Sequence, residues 1–340
     1  MLGASIGYKP DHAAFRDLID ARFRADEEKI PFAPAKTGDT STYFRASSLG
    51  KRCGRKEALK IVHKKTSIEE IKPELLYLFA KGHAYHWMHQ ENILPLIAKD
   101  GLLGWWVGPD SMLTGSNDDG SPKLWTMAEA AEKMGCKTHQ LQYKEVHAYD
   151  HVGMIKGHPD AILDWSRLNF SHDDHPDGLE ILEFKTRHDS TWMWDAIDPY
   201  LGGQPLKDHV LQVQIYMLMT GIKHARIIYM KKGDNEYTDG LKYSYVEWRV
   251  ESDPKVQAKI RKFLTAWWQV IEKAYGQGYV PPRKVCSAFT KGKATSCALR
   301  YLCFDKKPSK KKDNLRDCTP DEVQDMKKAL EEMLDIVLGD

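Results

Sequence analysis

Residues 157–186 read GHPDAILDWSRLNFSHDDHPDGLEILEFKT and hold two apolar strand patterns that are separated by a polar turn. The second pattern carries Glu183 and Lys185 two positions apart. Residues i and i+2 of a strand share a face, so these charged side chains project together, while Leu182 and Phe184 project to the opposite, apolar face. Burying a charged pair on an otherwise apolar strand is costly, and this cost indicates a chemical use.

A further carboxylate can join this pair. Asp160 ends the motif at residues 157–160 (GHPD), at a break between two apolar stretches. Two converging carboxylates suit a hard divalent ion such as Mg²⁺ or Mn²⁺. Lys185 can then orient or help to deprotonate a metal-bound water that attacks a phosphate. The residues alone leave an alternative open, which is a buried Glu183–Lys185 ion pair beside a turn aspartate.

The patterns along the rest of the chain predict a mixed α/β core inside helical segments. Helical periodicity is expected over residues 11–29, 53–62, 72–98, 126–135, 207–221, 254–276 and 319–338. Period-two patterns predict a strand pair from residues 141–150 and 154–165, and strands over residues 179–186, 225–232 and 243–250. Residues 100–141 are expected to form an elaboration around one short helix.

The overall composition says little about a partner, because the 340 residues carry a formal net charge of only +2. No apolar run approaches the roughly 18 residues that a membrane helix needs, and the first residues do not resemble a signal peptide. We therefore expect a cytoplasmic protein with no membrane partner and with six reduced cysteines. Charge is concentrated between Arg283 and Arg316, where eleven Lys and Arg residues accompany two acids. This tract favours a phosphate-bearing partner, with a solvated tail as the alternative.

Two further motifs flank the carboxylates in sequence. Residues 82–86 read GHAYH, and the helix predicted over residues 207–221 carries Gln212 and Tyr216 on one face. With Asp160 and the Glu-x-Lys motif, this order resembles the PD-(D/E)XK nuclease superfamily, specifically its RecB-like branch, over residues 82–230. The resemblance implies a restriction-endonuclease-like core, with a mixed central sheet flanked by helices, and a deoxyribonuclease that depends on Mg²⁺ or Mn²⁺.

The resemblance also implies roles for individual residues. The implied metal ligands are His86, Asp160 and Glu183, and the implied catalytic residues are Asp160, Glu183, Lys185, Gln212 and Tyr216. Glu145 is a candidate accessory carboxylate, although a structural role is favoured. Gln214 is predicted to face away from the site, and Cys136 is predicted to lie in the core.

Four cysteines resemble the ligands of the 4Fe–4S cluster in some RecB-like nucleases, including the CRISPR-associated exonucleases and the AddB helicase-nucleases. The implied ligands are Cys53, Cys286, Cys297 and Cys303. The spacing between Cys286 and Cys297 is longer than in the family, so Cys318 is the alternative to Cys286 as a cluster ligand. Zinc on the same thiolates, or free buried cysteines, are the alternatives. Such a cluster would join the N- and C-terminal helical segments and would present cations to DNA, namely Arg283, Lys284, Lys291, Lys293 and Arg300.

These expectations define one leading function and its alternatives. The leading function is an exonuclease on single-stranded DNA or DNA ends in recombination, replication or repair, which a phage could encode. A structure-specific endonuclease or a non-cutting DNA-binding recombination subunit are the alternatives. The chain has no GxxxxGK[ST] motif, so unwinding would need a helicase or recombinase partner. The predicted regions are an N-terminal helical region (1–141), a nuclease core (142–280), a basic cluster loop (281–318) and a C-terminal helix (319–340).

Overall fold

The computed structural model of the chain describes residues 44–49, 55–56, 59, 73–115, 123–150, 155–168, 178–188, 195–198, 202–232, 245–277, 279–280, 303–304, 316–317 and 321. The first described strands are β1 Phe44–Arg45, β2 Leu102–Leu103, β3 Trp105–Val107, β4 Leu113–Thr114, β5 Gln142–Lys144, β6 Ala148–Asp150 and β7 Ile155–Gly157. The later strands are β8 Ala161–Asp164, β9 Leu179–His188, β10 His224–Lys232, β11 Tyr245–Glu251, β12 Tyr279–Val280 and β13 Arg316–Asp317. The α-helices with described bounds are α1 Ala46–Leu49, α2 Pro73–Trp87, α3 Leu94–Ile97, α4 Met127–Met134, α5 Lys207–Thr220 and α6 Pro254–Gln277.

A mixed five-stranded sheet forms the centre of the described fold, in the order β11-β10-β9-β8-β2. Strands β9 and β10 are parallel, whereas β8 and β11 run antiparallel to their neighbours in the sheet. The parallel pair is connected through α5, because parallel strands need a crossover that returns the chain to the same end of the sheet. The mixed α/β class with a central mixed sheet and helices, predicted from the sequence, is confirmed.

Each face of this sheet is covered by its own apolar cluster. One cluster combines Ile181 of β9 with residues of α5 and α6, such as Val213 and Trp267. The other combines Phe184 with residues from the segment before β2 and from β3, such as Leu94 and Trp106. Glu183 lies on the same side of β9 as Ile181, so α5 covers this glutamate.

A smaller sheet, in the order β1-β7-β6, packs beside α5. Its inner face includes the buried residues Ala148 and Ile155, and Ala46 at the start of α1 belongs to the same apolar cluster. At Gly157 the backbone approaches α5 so closely that a Cβ atom would overlap Cε1 of Tyr216. Glycine is therefore needed at the end of β7 for Tyr216 to occupy its place.

Several predicted elements agree with the structure. The helices expected over residues 207–221 and 254–276 are α5 and α6, and α5 ends at Gly221 with a left-handed φ of 75°. The strands expected over residues 225–232 and 243–250 are β10 and β11. None of the described helices combines the length and the apolar character that crossing a membrane requires.

Other expectations are corrected. Residues 100–141 contain the strands β2, β3 and β4 in addition to the predicted helix α4, because β2 joins the central sheet and β3 pairs with β5. The predicted strand over residues 141–150 divides into β5 and β6, which belong to different sheets. Only β6 and β7 form the predicted antiparallel pair. Cys136 is partly exposed at the end of α4 and does not lie in the core.

Some predictions lie outside the described residues. They include the helix over residues 11–29, most of the helix over residues 53–62 and nearly all of the helix over residues 319–338. The regional division at residues 141, 280 and 318 stays a prediction.

Candidate active site

Asp160 lies between β7 and β8 and is held from three sides. Its Oδ2 atom accepts a hydrogen bond of 2.7 Å from the backbone N–H of Phe184 on β9. Its Oδ1 atom lies 3.2 Å from Nδ1 of His86, near the end of α2. Its backbone carbonyl accepts a 2.8 Å hydrogen bond from Nε2 of Gln90. The break in the first strand pattern therefore turns a buried carboxylate, 6% exposed, toward the centre of β9.

Glu183 lies on β9 beneath α5 and is 2% exposed. Its Oε1 atom accepts hydrogen bonds from Nζ of Lys185 and, at 2.8 Å, from Nε2 of Gln212. Gln212 also donates to the hydroxyl oxygen of Tyr216 at 2.7 Å, as expected for two residues on one helix face. The structure thus brings together Glu183, Lys185, Gln212 and Tyr216, as the sequence pattern predicts.

The charges of this group perturb one another. Burial, followed by the negative charge of Asp160, raises the pKa of Glu183 to about 8. Burial also opposes ionisation of Asp160, but the charge and hydrogen bond of His86, together with Lys185, hold the pKa of Asp160 below its ordinary value. Burial opposes the charge of Lys185 as well, yet Glu183 and Asp160 raise the lysine pKa. A further positive charge beside the two carboxylates would favour ionisation of both.

The donor atoms fit a hard divalent cation. The Oε2 atom of Glu183 is buried and has no hydrogen-bond partner among the described residues, so it is an oxygen donor with nothing to bind. Nδ1 of His86 and Oδ1 of Asp160 lie 3.2 Å apart, so a nitrogen and an oxygen donor of the kinds that bind such ions are already adjacent. Within the described ranges, however, no cluster of three or more His, Cys, Asp or Glu side chains is already gathered at metal-binding distance. To bind one ion, the side chain of Glu183 would therefore have to move closer to the side chains of His86 and Asp160.

The structure distinguishes the three histidines of the α2 region. His86 faces Asp160. His89 is occupied elsewhere, because its Nδ1 lies 2.7 Å from the carbonyl of Tyr85 and its Nε2 lies 2.9 Å from the hydroxyl of Tyr245. His83 is exposed at the surface of the helix. Of these three histidines, His86 is the one whose side chain lies beside Asp160, where both could bind the same metal ion. It is also the histidine that the motif indicates.

Sequence reasoning missed Gln90. A π-helical segment, Met88–Ile93, follows α2 and buries Gln90 beside the carboxylates. The amide nitrogen of Gln90 donates both to the carbonyl of Asp160 and, at 2.9 Å, to Oε1 of Glu145. The spacing of four residues from His86 was the one available signal, since it suggests a shared helix face.

Glu145 is linked to the site through this amide. Burial and then the charge of Asp160 raise the pKa of Glu145 to about 7. Its second oxygen, Oε2, lies 3.7 Å from Nδ1 of His158. Gln214, in contrast, faces away, because its side chain bonds to Glu251 and Asp253 at the junction of β11 and α6.

The second predicted constellation lies almost wholly outside the described residues. Of the four implied cluster ligands, Cys303 is described; it is partly exposed and is not in a disulfide. Outside the described ranges lie Cys53, Cys286, Cys297, Cys318 and the predicted DNA-binding cations Arg283, Lys284, Lys291, Lys293 and Arg300. The iron–sulfur cluster and the basic loop therefore stay predictions.

Comparison with known proteins gives weak similarities. No family description and no curated protein matches the chain. An alkaline exonuclease, LHK-Exo from Laribacter hongkongensis, aligns with 14% identity over 70% of this chain and 91% of its own, with a TM-score of 0.31. The same enzyme in complex with dAMP gives 13% identity over 70% and 92%, and a TM-score of 0.31. The protein SSO0001 gives 14% identity over 85% and 96%, and a TM-score of 0.37. At such low scores the similarity carries no argument, and the proposals below rest on the geometry of the site.

Proposed function

We propose that the chain is a nuclease that depends on Mg²⁺ or Mn²⁺ and hydrolyses phosphodiester bonds of DNA. The observation that carries the proposal is the grouping of Glu183 with a second buried carboxylate, Asp160, and with Lys185, while Oε2 of Glu183 has no hydrogen-bond partner among the described residues. A buried oxygen without a partner costs free energy because its hydration is lost. Oε1 of Glu180 is in the same state, so the neighbouring carboxylate is what distinguishes Glu183. A bound cation would remove this cost and would account for the arrangement.

Each residue has a distinct role in this proposal. Asp160, Glu183 and His86 would hold the cation, which when bound supplies Lewis-acid activation of a water and of the phosphate. Lys185 orients the nucleophile or the phosphate through Nζ, since its charge is retained beside Glu183. Gln212 fixes Glu183 by donating to Oε1, and Tyr216 accepts from Gln212 and supports that amide.

The finer features of the function rest on the family resemblance. A RecB-like branch, a preference for single strands or ends and a 4Fe–4S cluster belong to this level, as do a helicase or recombinase partner and a cytoplasmic location. The basic tract between Arg283 and Arg316 supports a nucleic-acid partner, because Lys and Arg neutralise backbone phosphates.

Digestion of matched DNA substrates tests the proposal. End-labelled single-stranded and double-stranded DNA and covalently closed circular DNA would be incubated with the protein and Mg²⁺, Mn²⁺ or EDTA. We expect loss of label from linear DNA with either metal, no reaction in EDTA and an intact circle. Cleavage of the circle would identify an endonuclease instead. Binding of DNA without any cleavage under all metal conditions would contradict a nuclease and would favour the non-cutting subunit.

A purely structural Glu183–Lys185 ion pair is the competing interpretation. It predicts that replacing Lys185 lowers stability without a specific chemical effect. The nuclease proposal predicts that Lys185→Met removes cleavage in protein that is fully folded and still binds DNA. Measuring cleavage and thermal unfolding on the same preparation separates the two interpretations.

A further inference from the structure

The outward face of the small sheet β1-β7-β6 differs from its apolar inner face. Tyr149 of β6 lies opposite Lys156 of β7, and Lys156 lies opposite Arg45 of β1. The same register places His147, just before β6, across from His158, just after β7. Because side chains alternate along strands, these five residues share the outward face, which we name the ring platform.

The rings of the platform are stacked and accessible. The imidazole rings of His147 and His158 are stacked, with centroids 4.0 Å apart and planes nearly parallel, at 7°. His147 also contacts the ring of Trp105 at 5.2 Å and that of Tyr149 at 6.4 Å. Tyr149 is 43% exposed, and His158 is also exposed. A flat ring pair with an exposed neighbour offers π-faces on which a planar base can stack.

Cations border the same rings. Arg45 and Lys156 occupy paired positions, and both are close enough, with Lys144, to act electrostatically on His158. Lys and Arg side chains side by side on one face can both bind phosphates of a nucleic-acid backbone. Two carboxylates also lie nearby. Glu145 approaches His158 from the side of the active site, and Asp150 belongs to the inward-facing register and bonds to Arg261 of α6.

The platform borders the residues around the proposed catalytic carboxylates. His158 precedes Asp160 by two residues, and its Nδ1 lies 3.7 Å from Oε2 of Glu145. Gln90 links Glu145 to the backbone carbonyl of Asp160. A strand of nucleotides bound across His158 would therefore lie close to Asp160.

We propose that the ring platform binds a single strand of DNA, with bases stacked on the rings of Tyr149 and His158 and phosphates held by Arg45 and Lys156. The proposal rests on the function proposed above, because it supplies the path by which that substrate enters the site. Single strands fit and duplexes do not, since the faces of paired bases are covered by their neighbours. Rings beside a cationic strip are the usual means of binding single strands without reading sequence.

Equilibrium binding tests the platform independently of cleavage. A fluorescent oligothymidylate, an abasic oligomer with the same number of phosphates and a blunt duplex would each be titrated in EDTA. The ring variant combines Tyr149→Ala with His158→Ala. We expect it to bind the oligothymidylate about 10-fold or more weakly, because stacking on at least one base is lost, and to bind the abasic oligomer and the duplex as the wild type does.

The charge variant combines Arg45→Gln with Lys156→Gln. It should weaken binding of both single-stranded probes and should reduce the salt dependence of binding, because fewer phosphates are neutralised. The matched control removes two exposed lysines elsewhere, Lys223→Gln with Lys255→Gln, and should change neither quantity. Equal losses by the charge and control variants, or equal losses of single-stranded and duplex binding in the ring variant, would overturn the platform.

A small substrate separates this proposal from the nuclease proposal. Bis(p-nitrophenyl) phosphate is too short to reach the platform, so Tyr149→Ala alone, which keeps His158 and its contact with Glu145, should hydrolyse it at the wild-type rate while the KM for the oligonucleotide rises. A wild-type protein that binds oligothymidylate through Tyr149 and His158 but hydrolyses neither substrate would refute the nuclease and leave the platform in place. Unchanged KM in a folded ring variant would refute the platform and leave the nuclease in place.

Discussion

Glu183 carries a carboxylate into the interior of the sheet, where only one of its two oxygens has hydrogen-bond partners among the described residues. The negative charge of nearby Asp160 raises the free-energy cost of ionising Glu183. Such a residue weakens the fold that contains it. Active sites commonly keep groups of this kind because the chemistry needs them, and replacing them then removes activity while stability is kept or gained.

Glu183→Gln should therefore abolish cleavage, by about 100-fold or more, without lowering the free energy of unfolding. The amide keeps the shape of the side chain, can still accept from Gln212 and Lys185, and leaves Asp160 as a negative charge near Lys185, but it removes the charge that would hold a cation. Urea unfolding and the end-labelled digestion would be measured on the same protein. Cleavage near the wild-type rate would remove Glu183 from the site.

Glu180→Gln is the matched control on the same strand. Glu180 is fully buried too, and its Oε1 atom, like Oε2 of Glu183, has no hydrogen-bond partner among the described residues, while its Oε2 atom accepts hydrogen bonds from Arg226 and from the indole N–H of Trp165. Removing its charge leaves the Arg226 guanidinium without this partner. We expect about 1–3 kcal/mol of lost stability and unchanged turnover per folded molecule. A loss of turnover equal to that of Glu183→Gln would show that any charge removed from β9 inactivates the protein.

Gln90→Met should slow cleavage and destabilise the protein by about 1–3 kcal/mol, because two buried acceptors, the Asp160 carbonyl and Glu145, lose their shared donor. Gln214→Met removes a comparable buried amide, on the side of α5 that faces away from the candidate site. It should cost similar stability and leave kcat unchanged. A pair of variants with identical effects on kcat would mean that Gln90 is merely structural.

The difference between these two glutamines shows what the sequence can and cannot reveal. Gln214 was excluded from the site correctly, since a regular helix fixes its angle relative to Gln212 and Tyr216. Gln90 was not found, because its only signal was a spacing of four residues from His86 and it belongs to none of the motifs that pointed to the other residues. Residues that belong to a recognisable motif could be placed in advance, and Gln90, which supports them through hydrogen bonds, could not.

At the level of elements, the position of the small sheet against α5 depends on Gly157. Gly157→Ala should destabilise the protein by about 1–3 kcal/mol and reduce cleavage, because the new methyl group overlaps the ring of Tyr216 and displaces it from Gln212. Gly115→Ala is the control, since a Cβ there would meet its nearest atom, in Trp105, at 3.6 Å. Thermal unfolding and cleavage would be compared for the two variants.

A double-mutant cycle tests the stated cause. In a Tyr216→Ala background the overlap is absent, so Gly157→Ala should cost much less stability there than in the wild type. Additive effects of the two substitutions would show that the glycine is required for another reason.

Long elements were predicted well, and short ones were not. The patterns of α5, α6, β9, β10 and β11 each extend over at least seven residues, enough to establish a period. Strands such as β2, with two residues, show no period of their own and form because a longer partner, β8, offers a free edge. The division of residues 141–150 between two sheets is likewise a tertiary effect. The alternation of apolar and polar side chains in this segment does not show where the chain passes from one sheet to the other.

At the scale of the whole molecule, the cysteines give the sharpest remaining test. Protein purified without oxygen should be brown if four thiolates hold a 4Fe–4S cluster. Cys303→Ser should bleach it, whereas Cys136→Ser should not, because Cys136 lies at the end of α4 and matches no ligand position. The visible spectrum and the iron content would be measured together.

The identity of the remaining ligand follows from the same experiment. If Cys286→Ser keeps the colour and Cys318→Ser removes it, the substitute ligand is the correct one. Zinc in place of iron would support a thiolate site and reject the iron–sulfur cluster. Wild-type protein that holds neither metal would leave the cysteines as free thiols.

The central sheet also governs how the protein folds. Strands β9 and β10 pair in parallel, although partners such as Glu180 and His224 are separated by about 40 residues, and closing such a loop is slow. We expect the docking of β10 and α5 to be a late event, and it is this event that takes Glu183 and Lys185 out of water. A nascent chain that has not yet completed this step keeps both charges hydrated and apart from Gln212. The group proposed to be catalytic and the finished sheet therefore form in the same step, so a partly folded chain would not carry an assembled site.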